Sequence, residues 1–140
     1  MEIRRYQPSD RQAILELWTA VFGDDGDHNS PDRSLDRKLA HADDLLFVAE
    51  CTGQILGTVM GGYDGHRGWV YALAVKPDRR HEGIATKLMQ YLESQLEQLG
   101  CPKLNLQVRA DNKMVLSFYQ QLGYELEDRV SIGKRLRDGC

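Results

Sequence analysis

One segment of the sequence, a strand pattern that runs through a short turn into a glycine-opened helix, restricts most strongly what the chain can fold into. Residues 69–75, WVYALAV, form a continuous apolar run of strand length that stops before Pro77. From Ile84 to Leu99 apolar residues then recur at helical spacing, and Gly100 provides a C-terminal stop. Because a long amphipathic helix follows a strand almost directly, we expect a fold that combines helices with a sheet.

The remaining sequence alternates between the same two patterns. Strands are predicted at 2–6, 45–50, 54–63 and 104–108, with one or two more from Tyr124 onward; helices are predicted from Ser9 to Phe22, from Ser34 to about Ala42 and from Lys113 to Gln121. Residues 51–53 read as a hairpin turn and residues 24–32 as a loop. Without an internal repeat or a linker, the pattern predicts one domain over residues 1–140, of the α+β class, with helices flanking a mixed α/β sheet.

Charge and cysteine content limit the partners that the chain can have. It has 140 residues with 18 Lys and Arg against 21 Asp and Glu, and its net charge of −3 disfavours nucleic acid as a partner. The cysteines are Cys51, Cys101 and Cys140, and the histidines are His28, His41, His66 and His81. Their spacing predicts neither a metal site nor a disulfide framework, which fits a reducing compartment. Because the sequence has no signal-peptide or membrane-spanning pattern, we expect a cytoplasmic protein with no membrane partner.

The turn between the strand and the long helix has the features of an anion site. The first N–H groups of a helix have no intrahelical acceptor and lie at the positive end of its dipole. Gly83 would let a phosphate approach the backbone, Ala85 keeps the next position small, and Arg79 and Arg80 bring positive charge. The alternative is that the glycine only eases a tight turn and that both arginines are solvated. Since these features coincide, we favour the anion site, although the segment matches neither a Walker A loop nor GxGxxG.

The same residues resemble the cofactor signature of the GCN5-related N-acetyltransferase (GNAT) family, which reads Arg or Gln, two residues, Gly, one residue, Gly or Ala. Here the signature is residues 80–85, RHEGIA, and a second family motif follows in order as Asn112, Tyr119, Gly123 and Tyr124. The resemblance covers essentially the whole chain. GTVMGGYDGHRG and LGYELED look like the YpeA-type bacterial members, and LQVRADN looks like the ribosomal-protein N-terminal acetyltransferases.

The resemblance implies a mostly antiparallel sheet whose two middle strands, here 69–75 and 104–108, splay apart to admit the pantetheine of acetyl-CoA. The backbone of Leu73, Ala74 and Val75 would contact the pantetheine and the acetyl carbonyl. The pyrophosphate would be held by Arg80, His81, Glu82, Gly83, Ile84, Ala85 and Thr86, and Asn112 would contact the cofactor near the pantetheine. No metal is implied.

The family's reaction moves an acetyl group from acetyl-CoA to a primary amine by direct attack, so we expect an N-acetyltransferase with a small-molecule or peptide amine as acceptor. Tyr119 lies where the family has a tyrosine that protonates the leaving thiolate, and its ordinary pKa near 10 keeps it protonated at neutral pH. It could instead be a core tyrosine, since Val115, Phe118 and Leu122 share its helix. Asn112 could equally cap that helix.

The general base is the least defined group. In the ribosomal-protein N-terminal acetyltransferases a glutamate typically lies five residues before the motif asparagine, where this chain has Gln107, whose amide cannot take a proton. Glu50 and Asp64, acting through water, are the remaining candidates. A non-catalytic acyl-CoA-binding module is the rival function, and the acceptor and a homodimer stay open.

Overall fold

The computed structural model describes residues 1–24 and 30–136. Over those residues it contains β1 (Glu2–Arg5), α1 (Arg11–Phe22), α2 (Pro31–His41), β2 (Leu46–Cys51), β3 (Gln54–Tyr63), β4 (Gly68–Val75), α3 (Ile84–Gln98), β5 (Leu104–Asn105) and α4 (Lys113–Gln121). Most of the predicted loop at 24–32, with His28, and the C-terminal Cys140 lie outside the described residues. The chain divides into two compact units, Met1–Leu106 and Gln107–Cys140.

The sheet of the first unit follows the chain order, β1-β2-β3-β4-β5. The first three pairings are antiparallel, and β4 and β5 run parallel. The predicted hairpin between β2 and β3 is confirmed: Thr52 and Gly53 have φ of 50° and 79°, the paired left-handed conformations that let two strands reverse in a two-residue turn. In the described part of the chain no helix is long and apolar enough to cross a bilayer.

Helices α1 and α3 cover opposite faces of the sheet. In β2, Val48 belongs to a buried cluster with Ile14 and Trp18 of α1. Its neighbour Phe47 instead packs edge to face on Tyr91 of α3, with ring centroids 5.0 Å apart. Because successive strand residues point to opposite faces, the sheet has an apolar layer on each side. Each fully buried side chain of this kind contributes about 1.5–3 kcal/mol to folding.

Two predictions about the last strands are wrong. β5 spans only Leu104–Asn105 rather than 104–108, and the described residues from Tyr124 to 136 contain no strand. The ladder between β4 and β5 has only the pairs Gly68–Leu104 and Trp69–Asn105. A strand requires a hydrogen-bonded neighbour, so apolar alternation is insufficient without a ladder. The apolar side chains of the C-terminal segment accordingly remain exposed.

An ion pair network ties the N-terminal strand to the start of α1. Arg4 donates from Nη1 and Nη2 to the two carboxylate oxygens of Asp10 at 2.9 and 3.0 Å, and from Nε to Glu50 Oε1 at 2.9 Å. The backbone N–H of Gln7 donates to Asp10 Oδ2 at 2.8 Å. Burial works to raise the pKa of Asp10, but the hydrogen bonds from Arg4 and Gln7 and the charge of Arg4 outweigh it, so this pKa lies below its ordinary value.

We expect Asp10→Asn to lower the free energy of unfolding by about 2 kcal/mol at neutral pH, because it weakens charge-assisted hydrogen bonds to a largely buried guanidinium. The control is Asp36→Asn, which removes an exposed carboxylate paired with Arg11 and should cost less than about 0.5 kcal/mol. Because folding lowers the pKa of Asp10, its contribution is complete above about pH 4 and is lost as the pH falls through the folded-state pKa. Urea titrations of both variants at several pH values should therefore show the Asp10→Asn deficit shrinking in acid; a deficit that does not change with pH would contradict this account.

Candidate active site

The turn between β4 and α3 presents backbone N–H groups rather than side chains at its centre. A 3-10 turn at Pro77–Arg79 is followed by Arg80 in an extended conformation, and then His81 and Gly83 have φ of 64° and 81°. Left-handed residues in a short turn bring successive N–H groups onto one concave surface, which is a common anion-binding arrangement. The predicted cradle thus has a backbone shape that suits an anion.

The N-terminus of α3 extends this surface. The first intrahelical hydrogen bond runs from the N–H of Lys87 to the carbonyl of Gly83 at 3.1 Å, so the N–H groups of residues 84–86 have no acceptor within the helix. Gly83 offers no side chain as a cap, and the first turn has no acidic residue. A Cβ at Gly83 would have no atom within 4 Å, so its positive φ, rather than crowding, is what favours glycine here.

The two arginines of the turn differ in their pairing. Arg79 donates from Nε to Glu82 Oε2 at 3.0 Å, and this hydrogen bond lowers the pKa of Glu82. Arg80 is exposed and pairs with no carboxylate among the described residues. The charge of Arg79 is therefore largely balanced within the turn, and Arg80 supplies the available guanidinium. Glu82 can contribute its backbone, but its side chain is held by Arg79.

The end of β4 contains a bulge that the sequence did not predict. Thr58 pairs with Ala74 and Met60 pairs with Tyr71, so two residues, Ala72 and Leu73, lie opposite the single Val59. Ala72 has φ of 52°, an uncommon value for a residue with a Cβ. An alanine inside an apolar run gives no sign of this, because it resembles any other strand residue.

The bulge lies beside the position where β4 loses its second neighbour. The β4–β5 ladder stops at the Trp69–Asn105 pair, whereas β4 continues to Val75 in contact with β3. Within the described residues, Ala74 and Val75 therefore pair with β3 alone, and Leu73 belongs to the bulge. This matches the predicted separation of the two strands, and it leaves the predicted cofactor-binding segment directly ahead of the amide-rich turn.

The second unit contains the two remaining predicted site residues on one helix. Asn112 Oδ1 accepts a hydrogen bond from the N–H of Val115 at 3.2 Å, so the alternative that it caps α4 is confirmed. Tyr119 is 7% exposed and makes edge-to-face contacts with Phe118 and Tyr124, with ring centroids 5.1 and 5.6 Å apart. Burial raises the pKa of Tyr119 to about 12, so its phenol stays protonated at neutral pH.

The candidate bases are engaged elsewhere. Glu50 is paired with Arg4, and Asp64 accepts hydrogen bonds from the N–H groups of Arg67 and His66, each at 2.8 Å. These backbone hydrogen bonds, the one from Arg67 first, lower the pKa of Asp64 and make it a weaker base. Among the residues that the structure describes, no cluster of three or more His, Cys, Asp or Glu side chains could hold a metal ion.

Relatives in sequence share nearly the full length of the chain. The family model described as the acetyltransferase (GNAT) family matches residues 11–124. A Yersinia enterocolitica protein named an acetyltransferase is 46% identical over 143 residues, which cover 97% of this chain and 96% of the relative. A Pectobacterium atrosepticum protein of the same description is 47% identical over 140 residues, with the same coverage.

Solved structures share the fold at low sequence identity. Aminoglycoside N-acetyltransferase AAC(6')-Iy in complex with CoA aligns with a TM-score of 0.79 at 18% identity, covering 97% of this chain and 95% of that one. The PaiA N-acetyltransferase of Thermoplasma acidophilum, in complex with coenzyme A, aligns with a TM-score of 0.78 at 19% identity and 92% coverage of each chain. The α+β fold and the resemblance drawn from the two motifs are confirmed.

The mixed sheet, the turn and the long helix that follows it belong to a fold that the chain shares with solved N-acetyltransferases. The match to the family model and the relatives with nearly 50% sequence identity assign the family: the chain belongs to the GNAT family and is an N-acetyltransferase.

Proposed function

We propose that the chain transfers the acetyl group of acetyl-CoA to a primary amine of a small molecule or peptide, and that residues 1–140 act as a single N-acetyltransferase domain. The observation that carries this proposal is the set of N–H groups without intrahelical acceptors at residues 84–86, in a turn that directly follows a bulged strand. The family model spans residues of both compact units, which supports one functional domain.

The residues of the first unit suit the phosphate and pantetheine parts of the co-substrate. The turn from Arg80 to Thr86 would hold the pyrophosphate mainly through backbone N–H groups, with Arg80 adding one charge. The open space around Gly83 supports this assignment, since a phosphate could approach the backbone there. Leu73–Val75, of which Ala74 and Val75 pair with β3, would offer the opposite backbone edge to the pantetheine, and Asn112 would add a contact while it caps α4.

Acetyl-CoA supplies an activated thioester when bound. Attack by a neutral amine on the acetyl carbon forms a C–N bond and releases the sulfur as a thiolate, while the amine loses a proton. Tyr119 would face the leaving sulfur. With a pKa of about 12 for Tyr119, against about 8.5 for a cysteine-like thiol, its phenol would donate a hydrogen bond rather than transfer its proton completely. Because Glu50 and Asp64 are engaged elsewhere, we propose that the proton of the amine leaves to water.

The nature of the acceptor and the cellular location are part of the proposal. The solved neighbour AAC(6')-Iy is named for its action on aminoglycosides, so aminoglycosides are the acceptors to try first. Cys51 and Cys101 are free thiols, which supports a cytoplasmic location.

The direct test is acceptor-dependent release of free CoA. Purified protein is incubated with acetyl-CoA and a panel of polyamines, amino acids, aminoglycosides and peptides with free N-terminal amines, and the new thiol is measured. We expect at least one amine to produce thiol well above the rate without an acceptor. Tight binding of CoA with no acceptor-dependent release from any amine class would instead support the non-catalytic binding module.

Gly83→Val tests the cradle, and Gly53→Val is its matched control. Both glycines have φ near 80° and open space around the missing Cβ, so each substitution should cost about 1–2 kcal/mol of stability through the same backbone strain. Only Gly83→Val places a side chain where a phosphate would bind. Calorimetric titration with CoA should show a loss of affinity of at least about tenfold for Gly83→Val and little change for Gly53→Val. Equal affinities in the two folded variants would place the cradle elsewhere.

Tyr119→Phe tests whether the Tyr119 hydroxyl stabilises the leaving thiolate by a hydrogen bond. The substitution removes one hydroxyl and keeps the ring contacts with Phe118 and Tyr124, so stability and CoA affinity should change little. The single-turnover rate should fall by about 10²-fold, the scale of removing one hydrogen-bond donor from a developing negative charge, while KM for acetyl-CoA holds. Tyr91→Phe is the control, since it also removes a hydroxyl from a helix tyrosine with an aromatic contact. If both variants react at the rate of the parent, Tyr119 has a packing role alone.

A further inference from the structure

A buried hydroxyl joins helix α1 to the bulge of β4. Thr58 in β3 is fully buried, with 0% of its surface exposed. The indole Nε1–H of Trp18 donates to Thr58 Oγ1 at 2.8 Å, and Thr58 Oγ1 in turn lies 3.0 Å from the carbonyl oxygen of Ala72. An indole N–H can only donate and a carbonyl can only accept, so the hydroxyl proton of Thr58 must point to Ala72. The chain of hydrogen bonds therefore has a single direction.

The acceptor at the end of this chain is the strained residue of the bulge. Ala72 has φ of 52°, which is unfavourable for a residue with a Cβ and persists only where its surroundings favour it. Because Ala72 and Leu73 together face Val59, the ladder loses its regular spacing at this point. The Thr58 hydroxyl supplies a hydrogen bond to the Ala72 carbonyl, and Trp18 fixes the rotation of that hydroxyl.

Because of the position of the bulge, the hydrogen bond to Ala72 affects the segment that is proposed to bind the co-substrate. Ala72 immediately precedes Leu73–Val75, the segment proposed to contact the pantetheine and the acetyl carbonyl. In the next residues the chain enters the amide-rich turn. A change in the peptide plane at Ala72 would therefore redirect backbone groups in the segment that the co-substrate needs.

We propose that Thr58 and Trp18 are positioning residues for acetyl-CoA: their hydrogen-bond chain holds the Ala72 carbonyl inward and so presets the backbone of residues 73–75 for the thioester. This inference rests on the proposed function. Neither side chain touches substrate, and both act through Ala72. The rival explanation is that these hydrogen bonds only satisfy buried polar groups. Their loss would then lower the stability of the protein without a selective effect on the KM for acetyl-CoA.

Three substitutions separate these explanations. Thr58→Val keeps the shape of the side chain but leaves the Trp18 N–H and the Ala72 carbonyl without their shared partner. Thr58→Ser restores a hydroxyl at the same position. Leu35→Val is the control, because it trims a fully buried residue of α2 in the cluster that contains Trp18, and it removes no polar group.

The readouts are the free energy of unfolding, amide hydrogen exchange over residues 72–75, and KM for each substrate. For Thr58→Val we expect faster exchange at residues 72–75 and a rise of about tenfold or more in KM for acetyl-CoA, while KM for the amine acceptor changes less than about threefold. Thr58→Ser should have a KM for acetyl-CoA close to that of the parent protein. Leu35→Val should be less stable than the parent but have the same KM for acetyl-CoA.

Several outcomes would overturn the proposal. Equal increases in both KM values, or an unchanged KM for acetyl-CoA in Thr58→Val, would assign the hydrogen-bond chain a structural role only. If Thr58→Ser has the same raised KM for acetyl-CoA as Thr58→Val, the loss of the hydroxyl is not the cause of the increase. If the parent protein neither binds acetyl-CoA nor releases CoA with any amine, the proposed function itself fails and this inference fails with it. The exchange measurement would still report whether Thr58 holds the bulge.

Discussion

The antiparallel pairing of β3 with β4 is the constraint on which the rest of the first unit depends. The ladder reaches the Gly57–Val75 pair, and the next residue, Lys76, still donates its N–H to the Leu56 carbonyl at 2.9 Å. The turn that follows therefore begins from a backbone held on the sheet. A Cβ at Gly57 would lie 2.8 Å from the Ala74 carbonyl oxygen and 3.0 Å from Leu88 of α3, so this glycine is what allows the close approach of strand and helix. The start of α3 is therefore positioned by side chains of its first turns, Ile84 and Leu88, which pack closely against the backbone of β3.

This arrangement explains why the turn relies on amides rather than on side-chain charge. A guanidinium at the end of a flexible side chain is screened by solvent and loses conformational entropy when it binds, whereas helix-start N–H groups are already oriented. Arg79 is balanced by Glu82, which leaves Arg80 as the unpaired arginine of the turn within the described residues. Most of the attraction for an anion would then come from groups that folding has already fixed.

In the second unit, one residue has a packing role and is also proposed to take part in the chemistry. Tyr119 is a core residue of α4 by its burial and ring contacts, and the same burial raises its pKa to about 12. The higher pKa makes the phenol a reliable hydrogen-bond donor and a poor source of a fully transferred proton. Asn112 likewise combines a structural role with the one proposed for it, because its Oδ1 caps the helix and its amide group remains able to donate.

Sequence alone determined the features that depend on neighbouring residues. Helical spacing predicted α3, residues 113–121 of α4 were predicted with their observed ends, and Gly53 and Gly83 marked turns that need a positive φ. Tertiary structure decided the rest, because those features join distant parts of the chain. Trp18 and Thr58 are separated by 40 positions, and Arg4 and Glu50 by 46. The bulge at Ala72 and the short β5 likewise depend on which backbone lies opposite, and no local pattern of residue types records an inter-strand register.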